Sequence, residues 1–458
     1  MRLNSRLGGV TYSFDSVKEV LGRANELKSG DAMAGIAARS DSERIAAKDV
    51  LSDLLISDIR NNPVVPYEED EVTRLIQDAV DEEVYGRIKN WTIADLREYI
   101  LSEKTSQAEI DELRKGLTSE TIAAVAKLMS NLDLIYGAKK ICVETTCNTT
   151  MGRRGTLSSR LQPNHTLDGL EGIRASLYEG LSYGCGDAVI GLNPVNDTIA
   201  NTKQILELFD EVKNKFEIPS QVCVLSHINT QVGAVKQGAP ADMIFQSIAG
   251  SEKGNTAFGF NADTVREAQQ LMRDYGTAKG ENVLYFETGQ GSELSSDANF
   301  GADQVTMEAR CYGFAKPFKP FMVNTVVGFI GPEYLYNSKQ VMRAGLEDHF
   351  MGKLTGIPMG CDCCYTNHMD ADQNDIESLA VMLAAAGCTY IISVPSGDDI
   401  MLNYQTNSYQ DVMAVRSVLG LHPIKEFEDW MKEMEIVDEN GRPTSRMGDA
   451  TIFSESRR

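Results

Sequence analysis

The first third of the chain carries apolar residues three or four positions apart, with charged residues between them. This spacing is typical of helices that bury one face. It predicts five helices, at residues 17–27, 42–55, 71–80, 92–101 and 119–129. No strand-like alternation interrupts them. The pattern therefore predicts a helical N-terminal region over residues 1–135.

From residue 136 onward, short apolar runs alternate with amphipathic helical segments. The runs predict eight strands, at residues 140–144, 187–192, 221–226, 243–246, 282–286, 322–327, 356–360 and 389–394. Eight β–α alternations favour a closed parallel barrel over an open doubly wound sheet, which usually has fewer strands and a glycine fingerprint. We therefore expect an α/β protein whose residues 136–458 form a (β/α)8 TIM barrel, finished by helices at 409–419 and 424–434.

Active sites of such barrels lie at the carboxyl ends of the strands. Polar residues dominate these positions. Arg160 and Gln162 are expected in the long loop after the first predicted strand. The others lie within or after the later strands: Asn193, Pro194, His227, Gln246, Glu287, Asn324, Asp362, Asp398, Asp399 and Met401. Glu287 follows an apolar run and precedes a loop with two glycines and two serines, residues 288–295. Carboxylate and amide oxygens accept hydrogen bonds from an ammonium group, and arginine donates to oxygen. The set predicts a pocket for a small molecule with a cationic amine and a hydroxyl.

Charge, the N-terminal sequence and cysteine content limit the binding partners and the cellular compartment that we expect. The 458 residues carry a formal net charge of -22, which disfavours nucleic acids and anionic membranes because both are polyanions. The N-terminus lacks the apolar core of a signal peptide, and no run of 18 apolar residues follows, so we expect a cytosolic protein. Nine cysteines on a large chain of this kind are expected to be reduced thiols.

The sequence CDCC at residues 361–364, followed by His368, raises a metal hypothesis. Zinc sites favour a CxxC spacing, and adjacent thiols do not easily bind one ion together. We therefore favour a packed cluster of reduced cysteines over a metal centre. His227 and His349 are likewise expected to be structural.

Four longer strings carry a specific family pattern: YFETGQGSELSSDANFGADQVTMEAR at 285–310, NTVVGFIGPEYLYN at 324–337, RAGLEDHFMGKLTGIPMGCDCCYTNH at 343–368 and GDDIMLNYQT at 397–406. With them the sequence resembles the large subunit of ethanolamine ammonia-lyase from end to end. Residues 145–154 and the tail after residue 434 are less similar to the family.

The resemblance implies a (β/α)8 barrel enzyme that uses adenosylcobalamin, a cobalt corrinoid, for the radical conversion of ethanolamine into acetaldehyde and ammonia. The implied substrate contacts are Arg160, Gln162, Asn193, Glu287 and Asp362, of which Glu287, Arg160 and Asp362 are catalytic. The implied corrinoid contacts are Pro194, Gln246, Ser295 and Met401. The family also implies a separate small subunit, large-subunit dimers in a higher assembly, and a cytoplasmic location within a bacterial microcompartment.

Two other classes of function stay open on the residues alone. One is a metal-dependent TIM-barrel aldolase or hydrolase with Asp362, His227 and Glu287 as ligands. The other is a scaffold subunit of a larger shell, which an acidic surface would permit.

Overall fold

The computed structural model describes residues 3–400 and 404–454. Eight parallel strands form its centre, in chain order β1 (Ser158–Leu161), β2 (Val189–Leu192), β3 (Val222–Val224), β4 (Ile244–Ser247), β5 (Leu284–Thr288), β6 (Met322–Val326), β7 (Met359–Asp362) and β8 (Tyr390–Ser393). Each strand pairs with its neighbours in the chain except β3 and β4, which end the strand order, and β1 also pairs with β8. Between β3 and β4, the Asp242 amide donates to the Val222 carbonyl at 3.3 Å. The predicted (β/α)8 barrel is confirmed.

A long helix follows each barrel strand and covers the outside of the barrel. These helices are α1 (Leu170–Ser182), α2 (Ile199–Lys215), α3 (Ile228–Lys236), α4 (Ala262–Tyr275), α5 (Gln304–Ala315), α6 (Ser338–Thr355), α7 (Gln373–Ala385) and α8 (Tyr409–Leu419). Short helices, Glu252–Ala257 and Ser292–Ser295, precede α4 and α5. Helix Lys425–Glu433 follows α8 as predicted, and a short 3-10 helix, Ala450–Phe453, comes after it. Among the described residues, no helix is long and apolar enough to cross a bilayer.

The N-terminal region is helical, apart from an antiparallel hairpin of Asn4–Leu7 and Val10–Ser13. Its helices are Val17–Ala24, Ser29–Met33, Asp41–Asp53, Ile56–Arg60, Glu71–Asp78, Glu82–Ile88, Ile93–Leu101, Gln107–Leu113, Ser119–Lys127 and Asn131–Lys140. The last of these spans the limit predicted at residue 135. Helix Ser119–Lys127 is buried along its whole length against α5 and α6, so the barrel and the helical region share one core.

The first predicted strand is wrong. Residues 140–144 follow the end of a helix at Lys140, and the first barrel strand is β1, with the sequence SSRL. Its polar side chains are all buried: Arg160 faces the cavity, and Ser159 donates to Asp187. The search for apolar runs could not find this strand, because three of its four buried residues are polar.

Two tyrosines fill the barrel interior below the cavity. Tyr285 on β5 and Tyr390 on β8 are fully buried. A Cβ atom at Gly360 would collide with the Tyr390 ring, and one at Gly191 would lie 3.2 Å from the Arg160 Nε. The two glycines therefore make room for the large side chains that form the floor of the site.

A small antiparallel sheet covers part of the barrel mouth. Its strands are Tyr365–Thr366, Asp398–Asp399 and Tyr404–Gln405, with Tyr404–Gln405 in the middle. The Val394 amide donates to the Asn407 carbonyl at 3.0 Å, which ties the sheet to the end of β8. The sheet thereby connects the loops that follow β7 and β8.

Candidate functional site

A cavity of about 520 Å³ lies at the carboxyl ends of the barrel strands. Residues of the eight strands or of the segments that follow them line it, including His227 after β3 and Tyr404 after β8. Among them are seven of the nine site residues expected from the sequence: Arg160, Asn193, Pro194, Gln246, Glu287, Ser295 and Asp362. Gln162 lies outside this lining, and Met401 falls outside the described residues.

Glu287 is held by three donors that all end on its Oε1. Arg160 Nη1 donates at 2.8 Å, Asn324 Nδ2 donates at 3.3 Å, and the Tyr285 hydroxyl also donates to this oxygen. Asn324 and Glu287 are register partners on β6 and β5, so both side chains point into the barrel. Burial raises the pKa of Glu287, although Arg160, Tyr285 and Asn324 act to lower it.

Arg160 connects three walls of the cavity. Its Nη1 donates to Tyr285 Oη at 2.9 Å as well as to Glu287, and its Nη2 donates to Asn193 Oδ1 at 3.1 Å. The guanidinium carbon lies 5.5 Å from the Tyr285 ring centroid. The expectation that Arg160 sits in a loop is wrong: it is the third residue of β1, as Glu287 is the fourth of β5. Both are therefore fixed by barrel hydrogen bonds.

Asp362 is the last residue of β7 and is almost fully buried. Tyr404 donates to its Oδ2 at 2.7 Å, and Thr406 donates to its Oδ1. Burial raises the pKa of Asp362 to about 7, and the nearby carboxylates of Asp399 and Glu287 add to the rise, whereas the two hydroxyls act to lower it. Asp362 is thus a carboxyl group that titrates near neutral pH.

Gln162 does not line the cavity but contacts a residue near it. It follows β1 directly, and its Nε2 donates to Asp399 Oδ2 at 2.5 Å. Asn164 Nδ2 donates to the other oxygen of Asp399 at 3.2 Å, and the Asn193 amide donates to Asn164 at 3.2 Å. Asp399, itself expected at the strand ends, therefore holds the loop after β1. Through Asn164, that loop also contacts Asn193 in the loop after β2.

The expected corrinoid contacts lie toward the outside of the cavity. Pro194 is half-buried in the loop after β2, and Ser295 is exposed at the end of the short helix after β5. Gln246 on β4 accepts from the Ile228 amide at 3.1 Å, which fixes its side chain. Exposed apolar side chains lie on the loops after β1, β2, β6 and β8, at this end of the barrel: Leu167, Val195, Phe329 and Ile400. Of these, Phe329 lines the cavity.

The remaining histidine and cysteine candidates differ in their surroundings. His227 caps α3 by accepting from the Asn229 amide, and its Nε2 lies 2.8 Å from the Phe258 carbonyl oxygen. Cys361, Cys363 and Cys364 are buried free thiols, while His368 is exposed and apart from them. His349 is fully buried on α6, where desolvation lowers its pKa well below the usual value.

Sequence reasoning missed several residues that shape the site. Tyr285 and Tyr404 contact the two central carboxylates, and Phe329 lines the cavity. One signal could have found Tyr285, because residues two apart on a strand share a face and Glu287 was already a candidate. Tyr404 and Thr406 contact Asp362 across 42 and 44 residues, which no local pattern shows.

The barrel and its cavity define a (β/α)8 protein with a candidate small-molecule site at the carboxyl ends of its strands. The model of the family described as "Ethanolamine ammonia lyase large subunit (EutB)" matches residues 12–446. The chain therefore belongs to this family, as its motifs predicted.

Two relatives match over their whole length. The chain is 59% identical over 453 residues to the ethanolamine ammonia-lyase large subunit of Escherichia coli strain K12, a match that covers 99% of this chain and 100% of that protein. It is 60% identical to the ethanolamine ammonia-lyase large subunit of Salmonella typhimurium strain LT2, with the same coverage. The similarity includes the cavity and the N-terminal helical region alike.

Proposed function

We propose that the chain is the catalytic large subunit of an adenosylcobalamin-dependent enzyme that converts ethanolamine into acetaldehyde and ammonia. The observation that carries the proposal is the meeting of Arg160, Glu287 and Asp362 in one cavity at the carboxyl ends of the barrel strands. Family membership supports the same substrate, since both relatives are named ethanolamine ammonia-lyase.

The cavity chemistry suits a small amino alcohol. The hydrogen bonds to Glu287 from the described residues end on Oε1, which leaves Oε2 for the ammonium group of a substrate. Asp362 offers a second carboxylate to the same group. Arg160 lines the same cavity and is the guanidinium donor proposed to meet the hydroxyl oxygen.

The fit to a corrinoid rests on the rim of the cavity. A volume of about 520 Å³ holds a small substrate but not a whole corrinoid, so the macrocycle would lie across the mouth. The exposed apolar side chains of Leu167, Val195, Phe329 and Ile400 lie on loops at that end of the barrel. Pro194, Gln246 and Ser295 would contact the corrinoid from the protein side, and Met401 would do so from the loop after β8.

The protein residues would orient the substrate and manage its charge. When bound, adenosylcobalamin supplies the radical that removes a hydrogen atom from the carbinol carbon. Glu287 and Asp362 hold the ammonium group while it moves between neighbouring carbons, and Arg160 stabilises negative charge on the hydroxyl oxygen. Because burial raises the pKa of Glu287, its Oε2 is suited to accept a proton and return it during the migration. The closed floor of Tyr285 and Tyr390 keeps water away from below.

We infer that a small subunit completes the corrinoid site, because the apolar rim is exposed in this chain alone and because the family description specifies a large subunit. Adding the small subunit should raise corrinoid affinity in a spectroscopic titration, and equal affinity with and without it would contradict this inference. Self-association of large subunits into dimers within a higher assembly, inside a bacterial microcompartment of the cytoplasm, belongs to the same proposal. A monodisperse monomer in light scattering would contradict the assembly.

An isotope experiment tests the reaction itself. The chain, its small subunit and adenosylcobalamin are mixed with ethanolamine deuterated at the carbinol carbon, the reaction is quenched partway, and the adenosyl group is weighed by mass spectrometry. We expect deuterium in the 5′ position of the adenosyl group, a slower reaction, and label returned to the methyl group of acetaldehyde. Turnover with an unlabelled adenosyl group would refute the radical route.

The geometry does not favour the metal-dependent alternative. Both ring nitrogens of His227 are used in local contacts. Within the described ranges, the one group of metal-ligating side chains that lie within 4.8 Å of one another is Glu293, Glu308 and Cys311. It does not include Asp362, His227 or Glu287. A chelator should therefore leave turnover of the corrinoid-loaded enzyme unchanged.

A further inference from the structure

Asp362 receives one hydroxyl on each of its oxygens, and both hydroxyls come from the segment that follows β8. Tyr404 Oη lies 2.7 Å from Asp362 Oδ2, and Thr406 Oγ1 donates to Oδ1. Both side chains are almost fully buried. We call Tyr404 and Thr406 the hydroxyl clamp.

The backbone of the clamp is fixed by hydrogen bonds on both sides. The Thr406 amide donates to the Gly397 carbonyl at 2.9 Å, and Gln373 Nε2 donates to the Thr406 carbonyl at 3.1 Å. Tyr404 pairs with Thr366 on one side and with Asp399 on the other. The clamp hydroxyls are therefore set by the fold before any ligand binds, which is how donors are preorganised around a functional group.

The charges around Asp362 oppose its ionisation. Glu287 and Asp399 face it as carboxylates, Arg160 interacts with it as a cation, and the buried thiols of Cys361 and Cys364 lie beside it. Burial disfavours the charged form as well. A protonated carboxyl group would bind an ammonium group poorly, because the charge-assisted hydrogen bond would be lost. The site thus needs donors that stabilise the carboxylate without adding a positive charge.

We propose that Tyr404 and Thr406 are positioning residues that hold Asp362 as a carboxylate and direct its remaining lone pairs at the ammonium group of the substrate. Hydroxyl donors suit this task better than a lysine or arginine would, because a second cation would repel the substrate. The inference rests on the proposed function and adds the way in which its cation site is kept charged.

The test uses the holoenzyme, with small subunit and adenosylcobalamin, and the pH dependence of kcat/KM for ethanolamine. Tyr404→Phe and Thr406→Val each remove one donor to the carboxylate. Such a bond is worth about one pH unit in the midpoint of the acidic limb, and kcat/KM reports the free enzyme. We expect each midpoint to rise by about one unit, so that kcat/KM falls about fivefold at pH 7 and recovers at higher pH.

Two further variants separate positioning from general damage. Thr406→Ser keeps a hydroxyl and should restore the wild-type profile. Tyr365→Phe makes the same chemical change in the same small sheet, where Tyr365 pairs with Gln405, and should leave both the midpoint and the activity unchanged. A loss of activity in Tyr404→Phe that is equal at all pH values would overturn the proposal.

Infrared spectroscopy gives a readout that does not depend on turnover. The carbonyl band of the protonated Asp362 is identified as the band lost in Asp362→Asn, and its titration is followed in wild type and in Tyr404→Phe. An unchanged titration would overturn the clamp. If the wild type itself failed to deaminate ethanolamine, the proposed function would fail instead, while the infrared titration would still decide whether the clamp controls the charge of Asp362.

Discussion

Buried charges are balanced differently in two regions of this molecule. Where the N-terminal helices meet the outside of the barrel, the guanidinium of Arg310 on α5 lies 2.7 Å from Asp70 and 2.6 Å from Glu120. Nearby, Lys28 lies 2.8 Å from Glu347 on α6. In these pairs both partners are buried. Their geometry fixes how the helical region sits on the barrel.

Inside the cavity, one cation faces an excess of carboxylates. Arg160 is paired with Glu287, while Asp362 and Asp399 receive their hydrogen bonds from neutral hydroxyl and amide groups. Neutral donors support a carboxylate but do not cancel its charge. Where the helical region meets the barrel these charges are buried in pairs, whereas the cavity, where a cationic substrate is proposed to bind, is lined by two carboxylates and one arginine.

The largest expected effect comes from breaking the balanced region. Arg310→Met would leave Asp70 and Glu120 buried without their cation, which typically costs about 3 to 5 kcal/mol of folding free energy. Denaturant unfolding of the purified chain measures this loss. The matched control is Arg87→Met, because Arg87 forms a 2.7 Å pair with Glu112 on the surface. That change should cost less than about 1 kcal/mol, and equal losses in both variants would contradict the comparison.

The second effect is an opposite pH dependence of stability in the two regions. Burial raises the pKa of Asp362 to about 7, above its unfolded value of about 3.9. The folded protein therefore binds this proton more tightly than the unfolded chain does. The free energy of unfolding falls for that reason as pH rises from about 4 through 7. Burial alone would raise the pKa of Glu347, but Lys28 and Arg343 lower it to about 2. Its contribution is present above about pH 4 and is lost as pH falls toward 2.

Thermal unfolding of two variants between pH 3 and pH 8 checks these signs. Asp362→Asn should match wild type near pH 4 and be more stable by about 2 to 4 kcal/mol near pH 8. Glu347→Gln should be less stable than wild type at pH 7, with a deficit that shrinks toward pH 3. Two variants that changed in the same direction with pH would show that the regions do not differ as described.

The sequence predicts the barrel well because most strands bury apolar side chains on both faces. Strand β5, for example, contains the apolar run Leu284, Tyr285 and Phe286, which places Glu287 at the cavity within one residue of its expected position. Strand β1 is the exception. It buries Ser159 against Asp187 and Arg160 against Glu287, so its polar sequence does not resemble a buried strand.

The site could be predicted only as far as local signals extend. Arg160, Asn193, Glu287 and Asp362 follow from strand ends and family motifs, and all four line the cavity. The groups that hold them come from distant segments. Arg160 and Glu287 meet across 127 residues, and Asp399 reaches Gln162 across 237 residues. Such contacts depend on how the barrel closes.

A smaller effect is expected on turnover when the negative charge of Glu287 in the cavity is removed. Glu287→Gln keeps the volume and an acceptor for Arg160 but loses the charge-assisted bond to an ammonium group, worth about 1.5 to 3 kcal/mol. We expect kcat/KM for ethanolamine to fall about 10- to 150-fold, with folding and corrinoid binding largely retained. Glu281→Gln, an exposed residue just before β5, is the control. Turnover near normal in Glu287→Gln would exclude the proposed role.

The smallest effect separates two buried tyrosines that each donate to a carboxylate. Tyr285 donates to Glu287 in the cavity, whereas Tyr312 donates to Glu308 at 2.7 Å behind the barrel wall. Tyr285→Phe keeps the ring that packs 5.3 Å from the Phe245 ring. It removes one of three donors to Glu287, so kcat/KM should fall about fivefold, which corresponds to about 1 kcal/mol of activation free energy. Tyr312→Phe loses an equivalent bond outside the cavity. It should therefore change the unfolding temperature while leaving kcat/KM unchanged, and an equal loss of kcat/KM in both variants would contradict the distinction between the two regions.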